Sequence, residues 1–270
     1  LETYGELSLG PYAGVSVGKA TKLPTDKLSE AVQDLLNEKE VGITTRNCGI
    51  AIPFHASLLS VIQLPYAKDK ELETMVPIEA RKYIPVPIAD VTLDWSIIPK
   101  SEVRAPVEVA DEMASKNKKP ESIDILLAAI HNNIISEYKQ IARNTGLQAS
   151  FFEIELFSCI RSVLDEDVRS AMIFYMGAAL TKLYVVERGV VRNSHIINRG
   201  AQDITANIAR INNISFEEAE VAKRNRGLLS GQEINIEEAV RVTVEHIFSE
   251  ANRVLFFQRK QTNKNVDKVI

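Results

Sequence analysis

Apolar residues recur along this chain in two periods. Leu28, Ala31, Val32, Leu35 and Leu36 fall at i, i+3, i+4, i+7 and i+8, one buried stripe, and predict a helix capped by Thr25 or Asp26 and stopped near Gly42. Val91, Leu93, Trp95 and Ile97 alternate with Thr92, Asp94 and Ser96, the period of a half-buried strand. Between these, 48–52 reads as a buried strand ended by Pro53 and 58–64 as a strand closed by Pro65. Residues 70–83 are helical in composition and stop before Pro85 and Pro87, which cannot continue a helix. Residues 123–130 form another apolar strand. Asn132 or Asn133 then caps a helix through Ile134, Tyr138, Ile141 and Ala142, closed by Gly146, with a last strand over 147–154. Strand, helix, strand, strand, helix, strand makes an α+β unit between about 58 and 154, inserted in a larger domain. Residues 1–17, rich in Gly, Tyr and Val, read as strand and turn; 104–120, with Lys116, Lys118 and Lys119 and no stripe, reads as an exposed loop.

The remaining pattern is strand-rich, then helical. Residues 171–176 suit a central strand, and 181–186 and 190–197 flank Glu187-Arg188-Gly189 as a hairpin. Ser215-Phe216-Glu217-Glu218 is a capping box for a helix closed by Gly227. Asn235 with Glu238 can cap a long helix carrying Val240, Val244, Ile247, Ala251, Val254 and Leu255 on one face. No repeat interrupts this order.

Composition narrows the function. With 45% hydrophobic and 25% charged residues over 270 positions, the chain is an ordinary globular protein of one or two domains. A net charge of −4 argues against nucleic acid as a partner, because phosphate binding needs a concentrated basic face. Cys48 and Cys159 lie in apolar runs, read as core thiols, and make no disulfide framework; a reducing cytoplasm follows. No apolar run approaches the ~18 to 20 residues of a membrane helix, and no signal peptide is expected. A start at Leu1 and an apolar end over 266–270 suggest a piece of something longer.

Few residues announce chemistry. Gly14-Val15-Ser16-Val17-Gly18 matches G-x-S-x-G, but a nucleophilic serine needs a helix directly after it and 19–24 is not one; a glycine-flanked loop is the plainer reading. His55, His131, His195 and His246 have no metal-ligand spacing. Glu153 and Glu155 would share one side of an extended stretch, which reads as charges at a strand end. The phosphate-binding G-x-x-x-x-G-K-[ST] and G-x-G-x-x-G loops are absent. More informative is the small-residue turn after Tyr175, with Gly177, Ala178 and Thr181, where backbone amides could approach a phosphate. Gly200 opens a second turn, Asp203-Ile204-Thr205 leads into a helix, and Glu220 and Lys223 lie one turn apart beyond it. Taken alone these residues read as a tight turn and a surface ion pair.

Their order nonetheless resembles a family. The opening Leu1-Glu2-Thr3-Tyr4-Gly5-Glu6, the Pro65 segment, Glu79-Ala80-Arg81-Lys82-Tyr83-Ile84-Pro85 and Leu93-Asp94-Trp95 are similar to the PilM family of type IV pilus assembly proteins. So are Gly177-Ala178 with Thr181, the Gly200 turn, and Glu217-Glu218-Ala219-Glu220 followed by Lys223. The resemblance implies an actin-like (ribonuclease H-like, FtsA-like) α/β fold of two lobes. Subdomain 1A would take 1–57 and 155–166, the inserted α+β subdomain 1C 58–154, and subdomains 2A and 2B 167–270. It implies a cytoplasmic scaffold held at the inner face of the inner membrane through a partner, without inserting itself. That partner is the amino-terminal tail of the membrane protein PilN, received near Pro65, Glu79, Tyr83, Ile84 and Pro85; other inner-membrane and motor components, and a homo-oligomer, are further implied partners.

The resemblance also implies ATP with Mg²⁺, held near Gly177, Ala178, Thr181, Gly200, Glu220 and Lys223, the last two near ribose and adenine. Departures count against it. The family's Asp-Ile-Gly loop would precede Leu1, its Gly-Gly adenosine turn would follow Ile270, and Tyr175 stands where the family has an Asp that helps place Mg²⁺ and water. The expectation is a scaffold and at most a weak ATPase, binding nucleotide weakly or not at all. An FtsA-type nucleotide-hydrolysing ATPase is the alternative, and a hydrolase acting through Ser16 a third.

Overall fold

The computed structural model describes residues 2–99, 122–165, 168–228, 234–263 and 265–270. Its elements run α1 (Thr25–Asn37), β1 (Asn47–Ile52), β2 (Ser57–Pro65), α2 (Asp69–Ala80), β3 (Val91–Ile98), β4 (Ser122–His131), α3 (Asn132–Asn144), β5 (Gln148–Ile154), α4 (Glu155–Val163), β6 (Ser170–Met176), β7 (Thr181–Glu187), β8 (Val190–Ile197), α5 (Ala201–Asn212), α6 (Phe216–Arg226), α7 (Glu237–Thr262) and β9 (Lys268–Val269). They fall into two compact units, one of 1–48, 140–150 and 159–270, the other of 49–139 and 151–158.

In the smaller unit β4 is the central strand of an antiparallel sheet ordered β2-β4-β3. Residues facing one another across this ladder share a face, so Ile62 and Leu64 join Ile123, Ile125 and Leu127 on one side. That side packs on Leu72, Val76 and Ala80 of α2, all fully buried, with Trp95 and Leu93 at its flank. The other ladder, β1 with β5, is two-stranded.

The larger unit is built on a second sheet, ordered β8-β7-β6-β9, in which β9 lies parallel to β6 and the rest are antiparallel. β7 and β8 join through Arg188 and Gly189, whose φ of 52° and 77° give the left-handed pair that a two-residue hairpin requires. Ile247, Ala251 and Val254 of α7 cover Met172, Leu183 and Val185 of this sheet. A separate cluster, Ile204 and Ile208 with Ala219, Ala222 and Ala239, binds α5, α6 and α7 together. Ser215 accepts from the Glu218 N–H at 3.1 Å and Glu218 reaches back to the Ser215 N–H at 2.9 Å, so the capping box is formed. Ser215→Ala removes half of it and costs about 1 kcal/mol, an expected shift readable in a urea midpoint.

Several expectations are corrected here. Residues 1–17 contain no strand among those described; Gly10–Ala13 is a single 3₁₀ turn, started by Pro11 with its fixed φ and ended by Gly14 at φ 67°. α1 stops at Asn37, before Gly42, because Glu38 is already extended. β1 alternates exposed and half-buried residues and buries only Ile52, and both cysteines are half-buried, so neither is a core thiol. The reading of Glu153 and Glu155 as charges at a strand end, by contrast, holds: β5 ends at Ile154 and Glu155 opens α4, where its carboxylate accepts from the Phe54 N–H at 2.7 Å. α2 carries Pro77 inside it and ends at Ala80. The 104–120 loop lies outside the described residues.

Candidate functional site

Two strand ends and two helix starts converge in the larger unit. β6 leaves the sheet at Met176 and β7 returns at Thr181, and the Gly177 N–H closes the turn between them on the Leu180 carbonyl at 2.9 Å. The first turn of α5 is laid directly on this turn. The Ala201 and Gln202 N–H groups donate to the Gly177 and Ala178 carbonyls, each at 2.9 Å. The Gly200 N–H donates to Asp203 Oδ2 at 2.9 Å, and the Asp203 N–H to the Gly200 carbonyl at 3.1 Å. Every amide that opens α5 therefore has an acceptor from within the chain, where a helix start would otherwise offer orphan donors to an anion. Thr181, fully buried, ties the turn from the other side by donating to the Arg199 carbonyl at 2.8 Å.

Gly200 is the position that permits this contact. Its φ of −154° suits any residue, so conformational freedom is not the reason. A Cβ there would stand 2.5 Å from the Ala178 carbonyl oxygen and 2.6 Å from that of Gly177.

One turn further along, α5 and α6 are joined by charge. Glu220, 4% exposed, accepts from Lys223 Nζ at 2.6 Å and from the Thr205 hydroxyl at 2.7 Å on one carboxylate oxygen, and from Arg224 Nε at 2.7 Å on the other. Lys223 also donates to the Thr205 hydroxyl at 2.8 Å and to the Ala201 carbonyl at 3.4 Å, which links the cluster back to the α5 start. Burial pushes the Glu220 carboxyl up, but the hydrogen bonds from Lys223, Thr205 and Arg224 outweigh it and hold the group below the ordinary glutamate range. The network is well satisfied: a buried carboxylate with three donors and an ammonium with three oxygen acceptors.

The structure thus brings Gly177, Ala178, Thr181, Gly200, Glu220 and Lys223 into one continuous network. Sequence reading missed Arg224, although its i, i+4 spacing from Glu220 was legible, and missed Thr205 as the hinge of the network. It also missed Gly18, whose Cα rests on the Glu220 carboxylate; a Cβ there would lie 2.5 Å from the carboxyl carbon. The G-x-S-x-G serine is spoken for differently: no helix follows it, and its hydroxyl donates to Glu217 on α6.

The other group of residues, in the smaller unit, is spread out. Pro65 precedes the first turn of α2, whereas Glu79 lies in its last turn and Tyr83, Ile84 and Pro85 follow it, with most of a helix of roughly 18 Å between them. Ile84 is buried in the sheet–α2 core. Tyr83 is 43% exposed, Pro85 is exposed, and Glu79 is paired with Lys82 at 2.8 Å. Among the described residues no three His, Cys, Asp or Glu side chains come together as a metal donor set.

Comparison with known proteins places these observations. A family model described as type IV pilus assembly protein PilM matches residues 12–270. Among solved structures the chain is similar to a PilM–PilN type IV pilus biogenesis complex, with 25% identity and a TM-score of 0.69 over 92% of this chain and 68% of that one. It is also similar to the ethanolamine utilization protein EutJ from Carboxydothermus hydrogenoformans, with 20% identity and a TM-score of 0.40 over 48% of this chain and 45% of that one. A third likeness is to MreB 5 of Spiroplasma citri bound to AMPPNP, with 17% identity and a TM-score of 0.38 over 49% and 48% of the two chains.

Proposed function

The chain belongs to the PilM family of type IV pilus assembly proteins, with an actin-like α/β fold, and from that premise we propose that it is a scaffold which binds the amino-terminal tail of PilN. The observation that carries this reading is the likeness to a PilM–PilN complex across nearly the whole chain. Through that tail it would tie the motor components to the inner face of the inner membrane. None of the described helices is long and apolar enough to cross a membrane, so attachment through a partner is the economical arrangement. An extended tail would gain affinity from main-chain hydrogen bonds and specificity from side-chain pockets. The exposed ring of Tyr83, on the segment that follows α2, is the anchor we assign to it.

The second part of the proposal concerns nucleotide. Among the residues that the family resemblance assigns to ATP, the α5 amides are engaged with the Gly177 and Ala178 carbonyls and Glu220 with Lys223, which weighs against a nucleotide there. Weak or absent nucleotide binding is therefore our reading, and scaffolding rather than catalysis the role.

A fluorescent peptide of the PilN amino terminus tests the main claim. Anisotropy should report saturable binding to the 270-residue chain, weakened about tenfold by Tyr83→Ala, as expected for an aromatic anchor. A peptide that does not bind the folded chain would overturn the proposal.

A further inference from the structure

Residues 14–20 lie across α5 and α6 without burying an apolar side chain. Val15 and Val17 are exposed at 38% and 42%, and only Ser16 and Gly18 are half-buried. Two hydrogen bonds, a cation–π contact and one packing contact hold the segment down. The Ser16 hydroxyl donates to Glu217, the Lys19 ammonium sits 5.0 Å from the centre of the Phe216 ring, the Ala20 N–H donates to Gln202 Oε1 at 3.0 Å, and Gly18 rests on the Glu220 carboxylate. Within the segment the Lys19 N–H donates to the Ser16 carbonyl at 3.3 Å, and across Gly14 the Val15 N–H donates to the Gly10 carbonyl at 3.0 Å, so the segment is tied to the preceding 3₁₀ turn as well. Its ends are suited to pivoting. Gly14, at φ 67°, has open space around it, and on the other side Leu23 is buried and anchors the approach to α1.

Segments with few buried apolar contacts and solvent-exposed hydrogen bonds open at a lower free energy than the core they cover. We infer that residues 14–20 form a strap which opens as a unit from α5 and α6, and that its closure keeps the Glu220 network dry. In the closed state Glu220 is 4% exposed and Gly18 is the residue on its carboxylate. Opening hydrates that carboxylate and frees Glu217 and Gln202 together, while the Glu220–Lys223 and Glu220–Arg224 bonds within α6 stay in place. The strap is thus a conformational device on the face of α5 and α6, and it does not depend on which partner the smaller unit binds.

Hydrogen–deuterium exchange on the 270-residue chain tests this. In the wild type, residues 14–20 should exchange faster than α5 and α6. Ser16→Ala with Lys19→Ala removes one hydrogen bond and one cation–π contact, so strap exchange should rise about tenfold with α5 and α6 unchanged. Gln202→Ala, which removes the acceptor from the helix side, should raise it in the same way. Strap exchange that does not respond to either variant would overturn the inference, and so would α5 and α6 accelerating in step with the strap.

Discussion

Glu220→Ala lowers the stability of the larger unit by about 3 kcal/mol, the cost of breaking a buried, hydrogen-bonded ion cluster from one side. The carboxylate accepts from Lys223, Thr205 and Arg224, and its loss leaves a mostly buried ammonium without its anionic partner and a buried hydroxyl with only the Ala201 carbonyl, at 3.2 Å, to donate to. Lys223 keeps its 3.4 Å contact to the Ala201 carbonyl, and Arg224 is exposed and rehydrates, which bounds the loss. A thermal midpoint lower by roughly 6 to 12 °C follows for a unit of this size. Glu220→Gln separates charge from shape. The Glu220 carboxyl titrates below the ordinary range, so its ionised form stabilises the fold above the unfolded value, and that contribution is lost as the pH falls through the lowered folded value. Wild type and Glu220→Gln should therefore converge in stability on acidification. Glu217 and Glu218, also held low by hydrogen bonds from Ser16 and from the Ser215 backbone, titrate in both proteins and cancel in the comparison. A stability difference that stays constant down the acid range would show that the network is not held by the carboxylate charge.

How much of this was legible depended on the range of the interaction that decides each element. α2, β3, α3, the β7–β8 hairpin and the α6 capping box are written in local periodicity, turn residues and caps, and they stand close to where sequence reading puts them. β1 was legible as a strand but not in its exposure, because burial depends on what packs against the strand and not on its own apolar content. Glu153 and Glu155 were legible as charges at a strand end, but the bond that Glu155 accepts from the Phe54 N–H, far away in sequence, was not. At the site, the residues carried by the family resemblance do converge. Their engagement with one another was not legible, since whether Lys223 points at a ligand or at Thr205 is decided by how α5 lies on α6. The motif that holds Gly18 was legible as a glycine-flanked loop, but that this glycine lets the backbone reach Glu220 was not.

Gly200→Ala should be the most damaging small substitution in the larger unit, at about 4 kcal/mol from steric overlap and two strained hydrogen bonds. The methyl would meet two carbonyl oxygens of the 177–180 turn, and neither can rotate away as a side-chain end could. Relieving the overlap means lifting α5 off the turn, but the same two carbonyls accept the Ala201 and Gln202 amides, so relief and loss are one motion. The motion also drags on Lys223, which holds the Ala201 carbonyl, and so reaches the ion cluster. Gly14→Ala is the control. It forces a methyl into φ 67° but meets nothing within 4 Å, so only the backbone penalty of about 1 kcal/mol applies. Guanidinium titrations followed by far-ultraviolet circular dichroism should rank Gly200→Ala several-fold above Gly14→Ala in lost stability. Equal losses would mean that the 177–180 turn gives way without cost, and that the helix start is not seated on it as the hydrogen bonds indicate.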